Sequence, residues 1–192
     1  MPEILTHYFK KGSKPFLTLS ALNEEEALAI MKRLYVDDAM WGRFRNPLKY
    51  IRERRQTENW VRENFITKGG KPVKQYPIYM VLGRCPALEE NVRTGELQKI
   101  EIPLAYFLEQ EVSYTFVDSM YSLVLEKEKP EEYYQPAYHG KVFTLTEIKG
   151  MIEKKGEPKE GWWGHLPEDF FPYIEAQVWH QEKLFDYARN IG

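Results

Sequence analysis

The sequence lacks most of the features that announce a chemistry. One cysteine, Cys85, in 192 residues excludes an internal disulfide and a cysteine-built zinc site. Four histidines, His7, His139, His165 and His180, neither sit four apart on a helix nor alternate along a strand, so no metal is expected. Neither sign of charge dominates: 27 basic against 29 acidic residues give a net charge of −2, which provides no global field for nucleic acid or a membrane surface. No apolar run approaches the roughly 18 residues of a membrane span. Met1-Pro2-Glu3 does not begin a basic segment followed by an apolar one. The expectation is a cytoplasmic protein with no membrane partner. Phosphate-binding glycine loops, His-Glu-x-x-His and Gly-x-Ser-x-Gly are missing too. With no repeat, low-complexity stretch or linker, residues 1–192 are expected to form a single domain.

Aromatic residues are abundant, with 13 Tyr, 10 Phe and 5 Trp making up 15% of the chain. They bury much area per residue and also offer stacking surfaces. Ile4–Phe9 and Phe16–Leu19 are expected as short strands. Asn23, with Glu26 three residues on, opens a helix whose apolar face is Ala27, Ile30, Met31 and Leu34. Asn46-Pro47 starts a second helix, which runs to about Ile66 and stops at Gly69-Gly70. Its Arg54, Glu58 and Arg62 project near the buried stripe, so it either breaks or carries charge there.

Tyr76–Leu82 is apolar on both faces and is expected to be central in the sheet. Strands are expected at Leu97–Ile102, Val112–Val117, Lys141–Phe143 and Tyr173–Trp179. A loop is expected at Glu126–Tyr138. Helices are expected after Thr144, capped with Glu147, and from about Glu182 to Ile191. Helices and strands alternate without regular βαβ crossovers. The fold class is therefore α+β, with a mixed, largely antiparallel sheet and several flanking helices.

Three constellations are candidates for function. Arg43, Arg45, Lys49, Arg52, Arg54, Arg55 and Arg62 face only Glu53 and Glu58, with Trp41, Phe44, Tyr50 and Trp60 interleaved. Arginine forks match phosphates and aromatic rings stack on bases, so Arg43, Arg45, Arg52 and Arg54 are candidate nucleic-acid contacts. A solvated helix laced with ion pairs is the plainer alternative. Glu175 and Gln177 share one strand face with Tyr173 and Trp179. A carboxylate among aromatics can bind a hydroxyl or stabilise a developing cation, although the polar side of an edge strand would look the same. Ser113, Thr115, Asp118 and Ser119 could orient a ribose or a catalytic residue, or reflect β-propensity and an Asx turn. Trp162 and Trp163 would suit a protein partner.

His7 in Thr6-His7-Tyr8-Phe9, the segment Tyr76-Pro77-Ile78-Tyr79-Met80, and Glu175 in Tyr-Ile-Glu-Ala-Gln-Val-Trp together resemble the ADP-ribosyltransferase superfamily, in particular its small nucleic-acid-modifying toxins. The resemblance implies NAD as substrate. Glu175 would be the catalytic residue, holding the nicotinamide ribose and stabilising an oxocarbenium-like transition state. His7, Arg55 and Tyr79 would hold the dinucleotide, and a nucleic acid or nucleotide would be the acceptor. A non-catalytic nucleic-acid-binding protein using Arg43–Arg62 is the rival expectation, and a protein-interaction module a third.

Overall fold

The computed structural model describes residues 1–36, 41–156 and 173–191. Trp162, Trp163 and His165 lie outside the described residues. The elements in chain order are β1 (Ile4–Lys10), α1 (Glu24–Leu34), α2 (Pro47–Thr67), β2 (Ile78–Leu82), α3 (Pro86–Arg93), β3 (Leu97–Pro103), β4 (Val112–Phe116), α4 (Ser119–Glu128), α5 (Leu145–Lys155), β5 (Ile174–Val178) and α6 (Gln181–Ile191). The strands form one sheet in the order β3-β1-β2-β5-β4. Every ladder in it is antiparallel, with one isolated parallel bridge from Val117 to Ile174, and the fold is α+β as expected. Among the described residues no helix is long and apolar enough to cross a membrane.

Register sorts the side chains, because residues paired across antiparallel strands point to the same face. One row joins Glu101 to Thr6, Thr6 to Val81, Val81 to Glu175 and Glu175 to Thr115. A second joins Tyr79 to Gln177 and Gln177 to Ser113. These residues line a polar face. The other face carries Leu5, Ile78, Met80, Leu82, Ile102, Val112, Tyr114, Phe116, Ile174, Ala176 and Val178. They pack with Ile148 and Ile152 of α5, Leu184 of α6 and Leu125 of α4 in one cluster.

Helix α2 lies across the polar face. Its Val61 and Phe65 pack with Trp179 and Val142, and Phe65 stacks on Trp179 with ring centroids 6.4 Å apart. Helix α1 closes over α2 through Ala27, Met31 and Ile51. The caps behave as their chemistry requires. Asn23 accepts from the Glu26 amide, Asn46 from the Lys49 amide, and Thr144 with Glu147 forms a reciprocal capping box. Gly70 follows α2 where a β-carbon would run into the Phe65 ring.

Several expectations need correction. Phe16–Leu19 is not a strand. Phe16 has φ 58°, and its amide donates to His7 Nε2 (2.9 Å) instead of to a ladder. Lys141–Phe143 contributes only an isolated bridge, Phe143 to Tyr114. The expected loop at Glu126–Tyr138 begins inside α4, whose apolar residues surround the helix and hide its period. Helix α3, opened by Pro86, was not anticipated. Strand β5 lies between β2 and β4 and is no edge strand.

Candidate functional site

Indole nitrogen can only donate, and that fixes a directed chain of hydrogen bonds along the polar face. Trp179 Nε1 donates to Ser113 Oγ (2.9 Å), and Ser113 Oγ donates to Gln177 Oε1 (2.8 Å). The Gln177 amide nitrogen then gives one proton to Thr115 Oγ1 (2.9 Å) and the other to Glu175 Oε1 (2.9 Å). Thr115 in turn donates to the Val117 carbonyl (3.1 Å) and keeps a long contact, 3.5 Å, with Glu175. Ser113, Thr115 and Gln177 have no exposed surface, whereas Glu175 keeps 7%.

A strained turn delivers the second donor. Val117 follows β4 with φ 60°, a conformation that a β-branched residue rarely adopts. The chain then reverses into α4, with Asp118 as N-cap accepting from the Tyr121 amide (2.9 Å). The first helical amide, that of Ser119, donates to Glu175 Oε1 (3.0 Å). Two carboxylates therefore share the start of one helix. Oε1 already receives two N–H donors, so a proton on Glu175 belongs on its other oxygen.

Burial pushes the Glu175 carboxyl up to about 7, and the neighbouring Asp118 adds to this; Gln177 and Ser119 pull the other way. Asp118 is raised as well, first by burial, against the Tyr121 amide, Arg43, the Met120 amide and Arg54. The two titrate as a pair. Burial also raises Tyr79 and Tyr173, with Glu58 the next cause for Tyr79 and Asp118 for Tyr173. Both tyrosines are only partly buried, and each feels the charge of Glu175.

Helix α2 supplies the roof. Arg54 lies over the Tyr79 ring, 4.4 Å from its centroid. It donates to Tyr50 Oη (2.9 Å) and pairs through Nε with Glu58 Oε1 (3.0 Å). Glu58 has no exposed surface, and its Oε2 has no hydrogen-bond partner. Two of the charges that interrupt the helical pattern, Arg54 and Glu58, thus face the polar side of the sheet.

The expected site residues separate. Glu175, Tyr79 and Arg54 come together, and Arg43 acts on both Asp118 and Tyr173. His7 does not join them, because it lies on the apolar face between Leu5 and Phe9. Its Nδ1 donates to the Tyr79 carbonyl (3.0 Å), its Nε2 accepts from the Phe16 amide, and burial lowers its pKa to about 4. Arg55 donates to the carbonyls of Ser20 (3.3 Å) and Leu22 (2.7 Å), tying α2 to the turn before α1. Arg62 likewise binds the carbonyls of Pro72 and Lys74.

The arginine segment is therefore no continuous basic patch. Arg43, Arg45 and Arg52 are exposed, with Arg43 over the Trp41 and Phe44 rings. Glu58 is a member of the site that the sequence did not assign a role, and Gln177, Asp118 and Ser119, named there as candidates, prove to be direct neighbours of Glu175. The two-residue alternation of Ser113, Thr115, Glu175 and Gln177 was the available signal. Among the described residues no group of three His, Cys, Asp or Glu could hold a metal ion. Comparison with protein-family models, curated proteins and solved structures gives no match.

Proposed function

We propose that this chain is a nucleotide-handling enzyme of the ADP-ribosyltransferase type, with Glu175 as the reacting carboxyl. The observation that carries the reading is Glu175 itself. It is a nearly buried carboxyl in the middle of a sheet, held at one oxygen by Gln177 and Ser119, and it gains and loses its proton near pH 7. A structural carboxylate satisfied in this way would ordinarily sit low in the acid range.

NAD would enter as substrate over Tyr79 and Tyr173. Arg43 and Arg54 would meet its phosphates, in place of the His7 and Arg55 expected from the sequence. As the C1′–N bond breaks, its electron pair leaves with the nicotinamide, which departs neutral. Ionised Glu175 would stabilise the positive charge left on the ribose. The acceptor then bonds to C1′ and gives up its proton. The exposed Arg43, Arg45 and Arg52 would be the side chains offered to a nucleic-acid acceptor.

The carboxylate form is the active one, so the rate should rise with pH through about 7 and then level off. The test is label transfer from tagged NAD to single-stranded DNA, RNA or protein, comparing wild type with Glu175→Gln. Label that disappears in the variant supports the reading. No label and no loss of NAD, or label indifferent to Glu175, overturns it.

A further inference from the structure

Hydroxyls pass on the direction of a hydrogen-bond chain without setting it, because each can donate or accept. Ser113 can give its proton to the Gln177 amide oxygen or accept from the amide nitrogen, and Thr115 has the same freedom on the other side of that amide. Of the four side chains that lead to Glu175, Trp179 alone donates in every state, since an indole N–H has no lone pair to offer. With the Ser113 oxygen accepting from the indole at 2.9 Å, its proton goes to Gln177 Oε1 at 2.8 Å. The amide nitrogen then faces Thr115 and Glu175, at 2.9 Å each. Turned end for end, the amide would press its nitrogen on a Ser113 oxygen that already holds a donor. It would also set its own oxygen against Glu175 Oε1, a contact that only a carboxyl with its proton on Oε1 could satisfy.

The indole is held in place. Trp179 has no exposed surface, stacks on Phe65 of α2 and packs with Val61 and Val142. Its backbone amide donates to the Glu111 carbonyl (3.0 Å), and its carbonyl accepts from the Lys74 amide (3.3 Å). Register completes the path: Gln177 pairs with Ser113 and Glu175 with Thr115, so the chain crosses between β5 and β4 on one face.

We propose that Trp179 and Ser113 are positioning residues that act through Gln177: they fix which end of its amide faces Glu175, keep a donor on Oε1, and confine the proton of the neutral carboxyl to its other oxygen. Its use in catalysis rests on the reading of Glu175 as the reacting carboxyl; the orientation itself does not. The other ionisable groups about Glu175 are Asp118 at the cap of α4, Tyr79 of β2 and Tyr173 before β5, with Arg54 and Glu58 of α2 and Arg43 acting on these in turn. Substitution at Trp179 or Ser113 replaces none of them.

Infrared titration with isotopically labelled glutamate follows the carboxylic C=O band of Glu175, identified by its loss in Glu175→Gln. The wild-type band should titrate near pH 7. Ser113→Ala frees the amide to turn and should raise the midpoint by about one pH unit, a tenfold gain in proton affinity. Trp179→Phe keeps an aromatic ring against Phe65 but loses the N–H, and should raise it by less. Ser113→Thr, which retains a hydroxyl, should titrate near wild type. Gln177→Met should raise the midpoint by itself, and in that background neither Ser113→Ala nor Trp179→Phe should move it further. An unmoved midpoint in Ser113→Ala, or an equal shift that persists beside Gln177→Met, overturns the proposal. In label transfer from NAD, the rising limb of the Ser113→Ala rate against pH should move up with the band; a limb that stays in place overturns the use in catalysis. If the band moves and no label leaves NAD, the enzyme reading fails and the positioning stands.

Discussion

On one face of the sheet Leu5, Met80, Ala176, Tyr114 and Phe116 share one apolar cluster with residues of α5 and α6. One residue along in the same strands, Tyr79, Glu175, Gln177, Ser113 and Thr115 carry hydroxyls, an amide and a carboxyl bonded largely to one another, and Tyr79 meets α2 at Arg54. Both faces are closed by helices. The apolar face is stabilised by area removed from water, which is insensitive to pH. The polar face is held by a directed hydrogen-bond chain, and a carboxyl inside it responds to pH near neutrality. That second kind of interior is costly unless every member is satisfied. It nonetheless ends in a carboxylate with surface left open and in Glu58 with one oxygen unmatched.

The largest effects should come from removing one partner on either face. Phe116→Ala empties space in the apolar cluster, where Phe116 has no exposed surface. It should cost about 3–5 kcal/mol in denaturant unfolding at any pH. On the polar side, Glu58→Leu leaves Arg54 unpaired in a confined place and should cost about 3–5 kcal/mol. There the comparison sharpens: adding Arg54→Met to Glu58→Leu should recover most of the loss. A double variant no better than the single would show that the pair contributes by shape and not by charge.

Smaller effects should sort the arginines that the sequence grouped together. Arg55→Ala removes two bonds to the carbonyls of Ser20 and Leu22 and should cost about 1–3 kcal/mol. Arg52→Ala, at an exposed position, should stay within about 0.5 kcal/mol. Equal costs at the two positions would contradict the division into tethering and exposed arginines.

Much of the fold was legible because period and caps carry it. Asn23, Asn46 and Thr144 marked three helix starts, and the two-sided apolar Ile78–Leu82 marked a central strand. Helix α4 was not legible, since Met120, Leu123, Val124 and Leu125 leave it without an amphipathic stripe. Phe16 reads as strand by composition, but its φ of 58° depends on a bond from its amide to His7 that no local pattern announces. Glu175 stood out in the sequence because alternation exposed it. That Asp118, Ser119, Arg54 and Glu58 gather around it was not legible, because they reach it only through the order β2-β5-β4 and the crossing of α2. His7 failed as a partner for the same reason: a period of two placed it on the other face.

Everything about the polar face turns on Glu175 being held close to neutral inside the fold, and unfolding measures that directly. Its carboxyl titrates about 7 when folded against an ordinary value of 4.5. The folded state therefore holds a proton between those values that the unfolded chain has lost. Stability from this group is fully present below pH 4.5, declines as pH rises, and is gone above pH 7. Glu175→Gln cannot ionise. Its unfolding free energy relative to wild type should climb by about 3 kcal/mol between pH 4 and pH 8. Parallel stability curves for the two proteins across that range would mean that Glu175 is an ordinary carboxylate, and the polar face a structural device with no site in it.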